Sequence, residues 1–150
     1  MPPQEKKIAI ASDHAGFELK NALIAFLSKE NYIIKDFGTN SGDSCDYPDY
    51  AHPLAEAVSN DLYDVGVVIC GSGNGVNMTV NKHQNIRGAL CWTPDLASLA
   101  RAHNNANVLA LPAKFISGAE ALLITKVFLN TDFDGGRHKK RVEKIPLNFI

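Results

Sequence analysis

Val65-Gly66-Val67-Val68-Ile69-Cys70 runs straight into Gly71-Ser72-Gly73-Asn74-Gly75. The first six residues are apolar or small, with no polar alternation, as in a strand buried on both faces. The next five place glycine at every second position, just before a helical pattern. Without a Cβ in the way, backbone N–H groups can approach an anion closely and align with a helix N-terminus. The segment therefore reads as strand, anion-binding turn and helix. Its G-x-G-x-G spacing is neither GxGxxG nor GxxxxGK[ST], and no acid ends the next strand to meet a ribose, so a dinucleotide site is disfavoured. A phosphate, a carboxylate or an enediolate fits the cradle.

Working outward, similar short runs occur at Lys7–Ala11, Gly88–Cys91 and Asn107–Leu111, and Tyr32–Phe37 is β-branched and aromatic. Between them lie helical spacings. Phe17, Leu19, Leu23, Ile24, Phe26 and Leu27 form one set, and Leu54, Ala57, Val58 and Leu62, after Pro53, form a second. Leu96, Leu99 and Ala100 follow Thr93-Pro94, a cap and a first-turn proline. Ile116–Leu129 is long enough for three turns. This βαβαβαβαβα order predicts a three-layer, Rossmann-like α/β domain with a five-stranded parallel sheet and right-handed crossovers. The polar loop Gly38–Tyr50 exceeds an ordinary connection. After a turn at Asp132–Gly136, Arg137–Ile145 predicts an extra C-terminal helix stopped by Pro146.

The 150 residues predict one domain, 1–150, large enough to fold without staples. No apolar run reaches membrane-spanning length, and Met1–Lys7 lacks the apolar stretch of a secretory signal. Three cysteines, an odd number, fit a reducing cytoplasm. The net charge of −1 excludes a globally basic nucleic-acid binder. The charge is uneven, however. Gly135–Lys144 carries five basic residues against Glu143, a net +4, which leaves −5 on the other 140 residues. Arg137 and Arg141, four apart, share a helix face and suit a phosphate. Lys139 and Lys140 read as solvated.

Ligands of open α/β sheets bind outside the carboxyl ends of the strands. Ser12-Asp13-His14 follows the first strand. Ser12 or Asp13 there serves as a helix cap as readily as a functional group, and His14 tips the reading toward function. Cys70 opens the glycine cradle, where a helix N-terminus favours the thiolate that acts as nucleophile or base. Cys45 and Cys91 read as small packing residues, and His52 and His83 as structural or exposed. His103, at the end of a helix before the fifth strand, is expected at the same sheet edge as Asp13 and Cys70. Lys114 follows that strand.

Taken together, Ser12–Phe17, Asp46-Tyr47-Pro48, Cys70–Gly75, Arg101-x-His103-Asn104-x-x-Asn107-Val108-Leu109 and Gly135-Gly136-Arg137-His138-x-x-Arg141-Val142 resemble the type B ribose-5-phosphate isomerases of the RpiB/LacAB sugar-phosphate isomerase family. The resemblance runs from about Ile8 to Ile145. It implies an aldose–ketose isomerase that uses neither metal nor cofactor. It also implies a homodimer, or a dimer of dimers, with each site completed by the neighbouring subunit. It assigns Cys70 as the base between C1 and C2, with Ser72 moving the proton between O1 and O2. His103 and Asp13 would open the ring. Gly71, Ser72, Gly73, Asn74 and Gly75 would form the anion hole, with Tyr47 beside the substrate. Asn104 would bind hydroxyls, and His14, Lys114, Arg137 and Arg141 would bind the phosphate. Val76 stands where another branch carries a glutamate base, which places this chain in the cysteine branch. Lys114 stands where many members have arginine, so the charge is kept and the bidentate fork is lost. Ribose 5-phosphate is the expected substrate. A six-carbon sugar phosphate (allose- or galactose-6-phosphate) and a non-catalytic phosphate- or nucleotide-binding module are the alternatives. A nucleic-acid role for the basic tail is the weakest, and neither nucleic acid nor membrane is an expected partner.

Overall fold

A computed structural model describes residues 5–147. Five strands alternate with helices: β1 (Lys6–Ser12), α1 (Phe17–Leu27), β2 (Tyr32–Asp36), α2 (Pro48–Ser59), β3 (Val65–Cys70), α3 (Asn74–Val80), β4 (Gly88–Leu90), α4 (Pro94–Asn104), β5 (Val108–Pro112), α5 (Gly118–Asn130) and α6 (Arg137–Val142). The strands pair in parallel in the order β2-β1-β3-β5-β4. The expected α/β architecture and the extra C-terminal helix are both present.

Alternation along the three central strands sorts two cores. Ile8, Ile10, Val67, Ile69, Leu109 and Leu111 face α1, α4 and α5, which contribute Leu23, Ala97 and Phe128 among others. Ala9, Ala11, Val68, Cys70, Val108 and Ala110 face α2 and α3, which contribute Leu54 and Val76 among others. The small residues on this second face let the two helices approach the sheet closely. The outer strands β2 and β4 are only partly covered, because each pairs on one side. The expectation that the Gly88 run is buried on both faces therefore fails at that edge.

The caps follow local chemistry. Thr93 Oγ1 accepts from Leu96 N at 3.2 Å, with Pro94 in the first turn. Ser117 and Glu120 form a reciprocal capping box on α5. Three helix boundaries move. α2 begins at Pro48, so Pro53 lies inside it and Leu62 lies outside and exposed. One backbone donor is lost there, and burial of Ala51, Leu54 and Ala55 outweighs it. The polar loop consequently ends earlier than Tyr50. α6 stops at Val142, short of Ile145, and has no buried residue to extend it.

Candidate active site

Strand order reverses between β1 and β3, the switch point where open α/β sheets bind ligands. Ser12 is in register with Ile69 there, so the turns after both strands lie side by side. Asp13, the first residue past β1, is buried. Its Oδ1 accepts from Ala15 N at 2.9 Å and Gly16 N at 3.2 Å, capping a single 3-10 turn at His14–Gly16. Its Oδ2 makes no protein hydrogen bond among the described residues, so capping leaves one carboxylate oxygen for a ligand. Ser12 caps nothing. Its hydroxyl is buried without a partner.

Cys70 ends β3 and is 5% exposed. Gly73 N donates to Cys70 Sγ at 3.2 Å, which holds the sulfur at the mouth of the turn. Gly73 adopts φ +75°, and a Cβ there would lie 2.4 Å from Leu90 Cδ1 and 3.2 Å from the Leu111 carbonyl carbon, so the turn requires glycine. Asn74 N donates to Ser72 Oγ at 3.2 Å. The N–H groups of Gly71, Ser72 and Gly75 have no protein acceptor among the described residues. The cradle therefore keeps three backbone donors for an anion and uses those of Gly73 and Asn74 on itself. Val76, in the position of the alternative base, is buried in the core.

Two side chains wall the cradle. The Tyr47 ring lies so close to Gly75 that a Cβ would meet it at 2.5 Å. The Lys114 methylenes pack over Gly71, and Lys114 N donates to Gly71 O at 3.0 Å. His14 is exposed and its Nδ1 accepts from Cys45 N at 3.2 Å. Cys45 is thus half-exposed beside His14, contrary to its reading as a packing residue. Cys91 does pack, and burial pushes its thiol up to about 12. The His52 and His83 side chains bond each other, Nδ1 to Nε2, at 2.8 Å.

The remaining expected residues do not join this group within one chain. A crossover helix runs antiparallel to the strands it connects, so the last turn of α4 lies at the amino edge of the sheet. α4 has eleven residues and so spans about 16 Å. The expectation that His103 shares the edge of Asp13 and Cys70 is therefore corrected. A helix that ends before a strand delivers its last residues to that strand's start. α5 ends at this edge too and leads to α6, so His103, Asn104, Arg137 and Arg141 gather there. Asp134 N donates to Ala102 O at 2.9 Å, tying the two segments. Arg101 braces them through Thr131 O, Ala106 O and Asn105 Oδ1.

His103 and His138 stack with ring centroids 4.2 Å apart and planes 12° apart. With Asn104 and Arg141 they line an open groove of about 540 Å³ along α4 and β4. Desolvation, then the neighbouring His103, lowers the His138 pKa. Sequence reading gave His138 no role, although it lies in one of the motifs quoted above. Asp134 was seen only as a turn residue. Among the described residues, His103, Asp134 and His138 form the cluster able to hold a metal ion.

The fold is that of an α/β protein with a buried thiol and free backbone donors at the sheet switch point and a second cluster of basic and imidazole groups at the opposite edge. The chain belongs to the Ribose/Galactose Isomerase family, whose pattern it matches over residues 8–145. It is 41% identical over 140 residues to ribose-5-phosphate isomerase B of Escherichia coli, covering 93% of this chain and 94% of that protein. A ribose 5-phosphate isomerase structure from Thermotoga maritima superposes with TM-score 0.92 at 47% identity, covering 94% of this chain and 97% of the other. Ribose-5-phosphate isomerase B of Mycoplasma genitalium, with bound ribulose-5-phosphate, superposes with TM-score 0.90 at 41% identity, covering 93% of each chain.

Proposed function

We propose that this chain interconverts D-ribose 5-phosphate and D-ribulose 5-phosphate through an enediolate. The reaction belongs to the non-oxidative pentose phosphate pathway and takes place in the cytoplasm. The observation that carries the reading is the Cys70 cradle: a buried thiol at the sheet switch point, beside three unspent backbone donors. Family membership and the relatives named above support the same substrate.

His103 and Asp13 open the furanose to the free aldehyde. The Cys70 thiolate takes the proton from C2 as the C1 carbonyl electrons move onto O1. The N–H groups of Gly71, Ser72 and Gly75 face the charge that develops on O1 and O2, where one such donor is worth about 2.7–4 kcal/mol. Ser72 carries a proton from O2 to O1, and the Cys70 thiol returns its proton to C1. Atoms and charge balance within one sugar and one thiol. His14, Lys114, Arg137 and Arg141 hold the phosphate, whose binding orients the reacting carbons. Asn104 holds a hydroxyl, and Tyr47 closes the side of the cradle.

The working unit is a homodimer or a dimer of such dimers. The amino-edge residues of one chain complete the carboxyl-edge cradle of its neighbour. The separation of the half-sites by a helix length supports this. So do the exposed apolar side chains beside both, Trp92 and Phe115 near Ser72 and Leu99 along α4. All three cysteines are free, in keeping with a reducing compartment. Among the described residues no helix is long and apolar enough to cross a membrane.

A turnover assay with ribose 5-phosphate, run beside Cys70→Ala, tests the reading. The variant should lose proton exchange at C2 and still bind the sugar phosphate. Exchange retained in Cys70→Ala would remove the thiol from the mechanism. Faster turnover of allose or galactose 6-phosphate would move the substrate to a hexose.

A further inference from the structure

Three side chains at the amino edge have a donor set that sugar isomerisation does not use as a set. The metal-ligating atoms of His103, Asp134 and His138 all lie within 4.8 Å of one another. Two imidazoles and one carboxylate form a common zinc triad, with a fourth position left for water. The three come from two separated segments, the end of α4 and the turn into α6, and the backbone joins those segments. Asp134 N bonds Ala102 O, one residue before His103, and His138 N bonds Gly135 O at 3.0 Å. Gly135 and Gly136 have φ of +67° and +52°, which folds the chain back so that Asp134 meets His138.

We propose that His103, Asp134 and His138 form a site for one zinc-type divalent ion, and that the bound ion withdraws His103 from the sugar. The consequence for turnover rests on the ring-opening role given to His103 above, whereas the site itself does not. The ligand atoms are already closer together than 4.8 Å, so a shared ion needs only local movement. The near-parallel rings must splay for both nitrogens to point at the ion, a rotation about soft terminal torsions. Asp134 is exposed and free to swing. Arg141 lines the same groove and opposes any cation. That charge opposes all divalent ions alike, and the two imidazoles among the three ligands select a metal bound strongly through nitrogen, such as Zn²⁺. The ion and the sugar phosphate then compete for the same place, so the metal acts as a reversible brake on a reaction that needs none.

The test uses the whole chain, stripped with chelator. Co²⁺ alone is titrated and followed by its ligand-field absorption, and Zn²⁺ alone is titrated against a chromogenic chelator. One ion per chain is expected. Even outer-shell changes cost roughly 10–100-fold in metal affinity. Asp134→Ala and His138→Ala should therefore each weaken binding at least about tenfold. His138→Phe, which keeps an aromatic stack without a nitrogen ligand, should do the same. His83→Ala should bind the ion as the parent does. No saturable binding, or equal affinity in the parent and in all three ligand variants, overturns the site. In the parent, turnover of ribose 5-phosphate should fall in step with Zn²⁺ occupancy and return with chelator. Binding without that fall supports the site and overturns the role of His103. A stripped protein with no turnover at all overturns the isomerase reading, and the binding titrations still judge the site.

Discussion

The Cys70 cradle and the α6 segment, the two places proposed to act on the sugar phosphate, stand under opposite mechanical conditions. The cradle hangs from β3, a strand buried at every residue, with β1 and β5 on either side. Its turn is fixed by a glycine in a conformation other residues avoid, and its sulfur is fixed by a backbone N–H. α6 buries nothing and is held by a few hydrogen bonds at its entry. A general base and an oxyanion hole need placement within a fraction of an ångström, which a strand end provides. A phosphate clamp tolerates more play, because long side chains reach for a large anion. The division of labour follows the difference in rigidity.

Substitutions on the two sides should therefore fail in different ways. Cys70→Ala should cost the most, with kcat lower by about 10²–10⁴-fold or more and little change in sugar-phosphate binding. Isotope exchange at C2 beside a binding titration measures both. Arg141→Ala should raise KM roughly 10–100-fold, the worth of one charge-assisted bond, and leave the melting temperature unchanged, because the side chain is exposed. A large loss of stability there would break the comparison. Gly73→Ala should do the reverse and destabilise the fold. A left-handed non-glycine residue costs about 1–3 kcal/mol, or roughly 2–4 °C of melting temperature per kcal/mol at this size.

An effect confined to alkaline pH concerns Cys91, the residue after β4. Its thiol has an ordinary value of 9.0 and is raised to about 12 by burial. The unfolded chain ionises first, so the stabilisation is fully present below pH 9.0 and is lost as pH rises toward about 12. Urea midpoints measured across that window should fall in the parent and fall less in Cys91→Ala.

The half-site built from contiguous residues was legible in the sequence. Val65–Cys70 announced a buried strand, and the alternating glycines announced an anion turn. The resemblance then supplied roles for both. The other half was misplaced because His103 was weighed by the strand it precedes and not by the end of that strand it reaches. His103 stands just before a strand, and that alone sends it to the amino edge. Asp134 and His138 were passed over because only the left-handed glycine pair and the bond to Ala102 bring them to His103. Pro53 misled for a different reason. Proline usually marks a boundary, but α2 has enough buried alanine and leucine to carry one lost donor.

The central claim is that one working site takes its cradle from one chain and its histidine from another. Cys70→Ala and His103→Ala chains, each inactive alone, can be unfolded together and refolded as an equal mixture. Half of the resulting dimers pair the two variants, and each such dimer has one intact site of its two. The account predicts recovery of about a quarter of parental turnover. If the mixture stays as inactive as its components, the site lies within a single chain and the account is wrong.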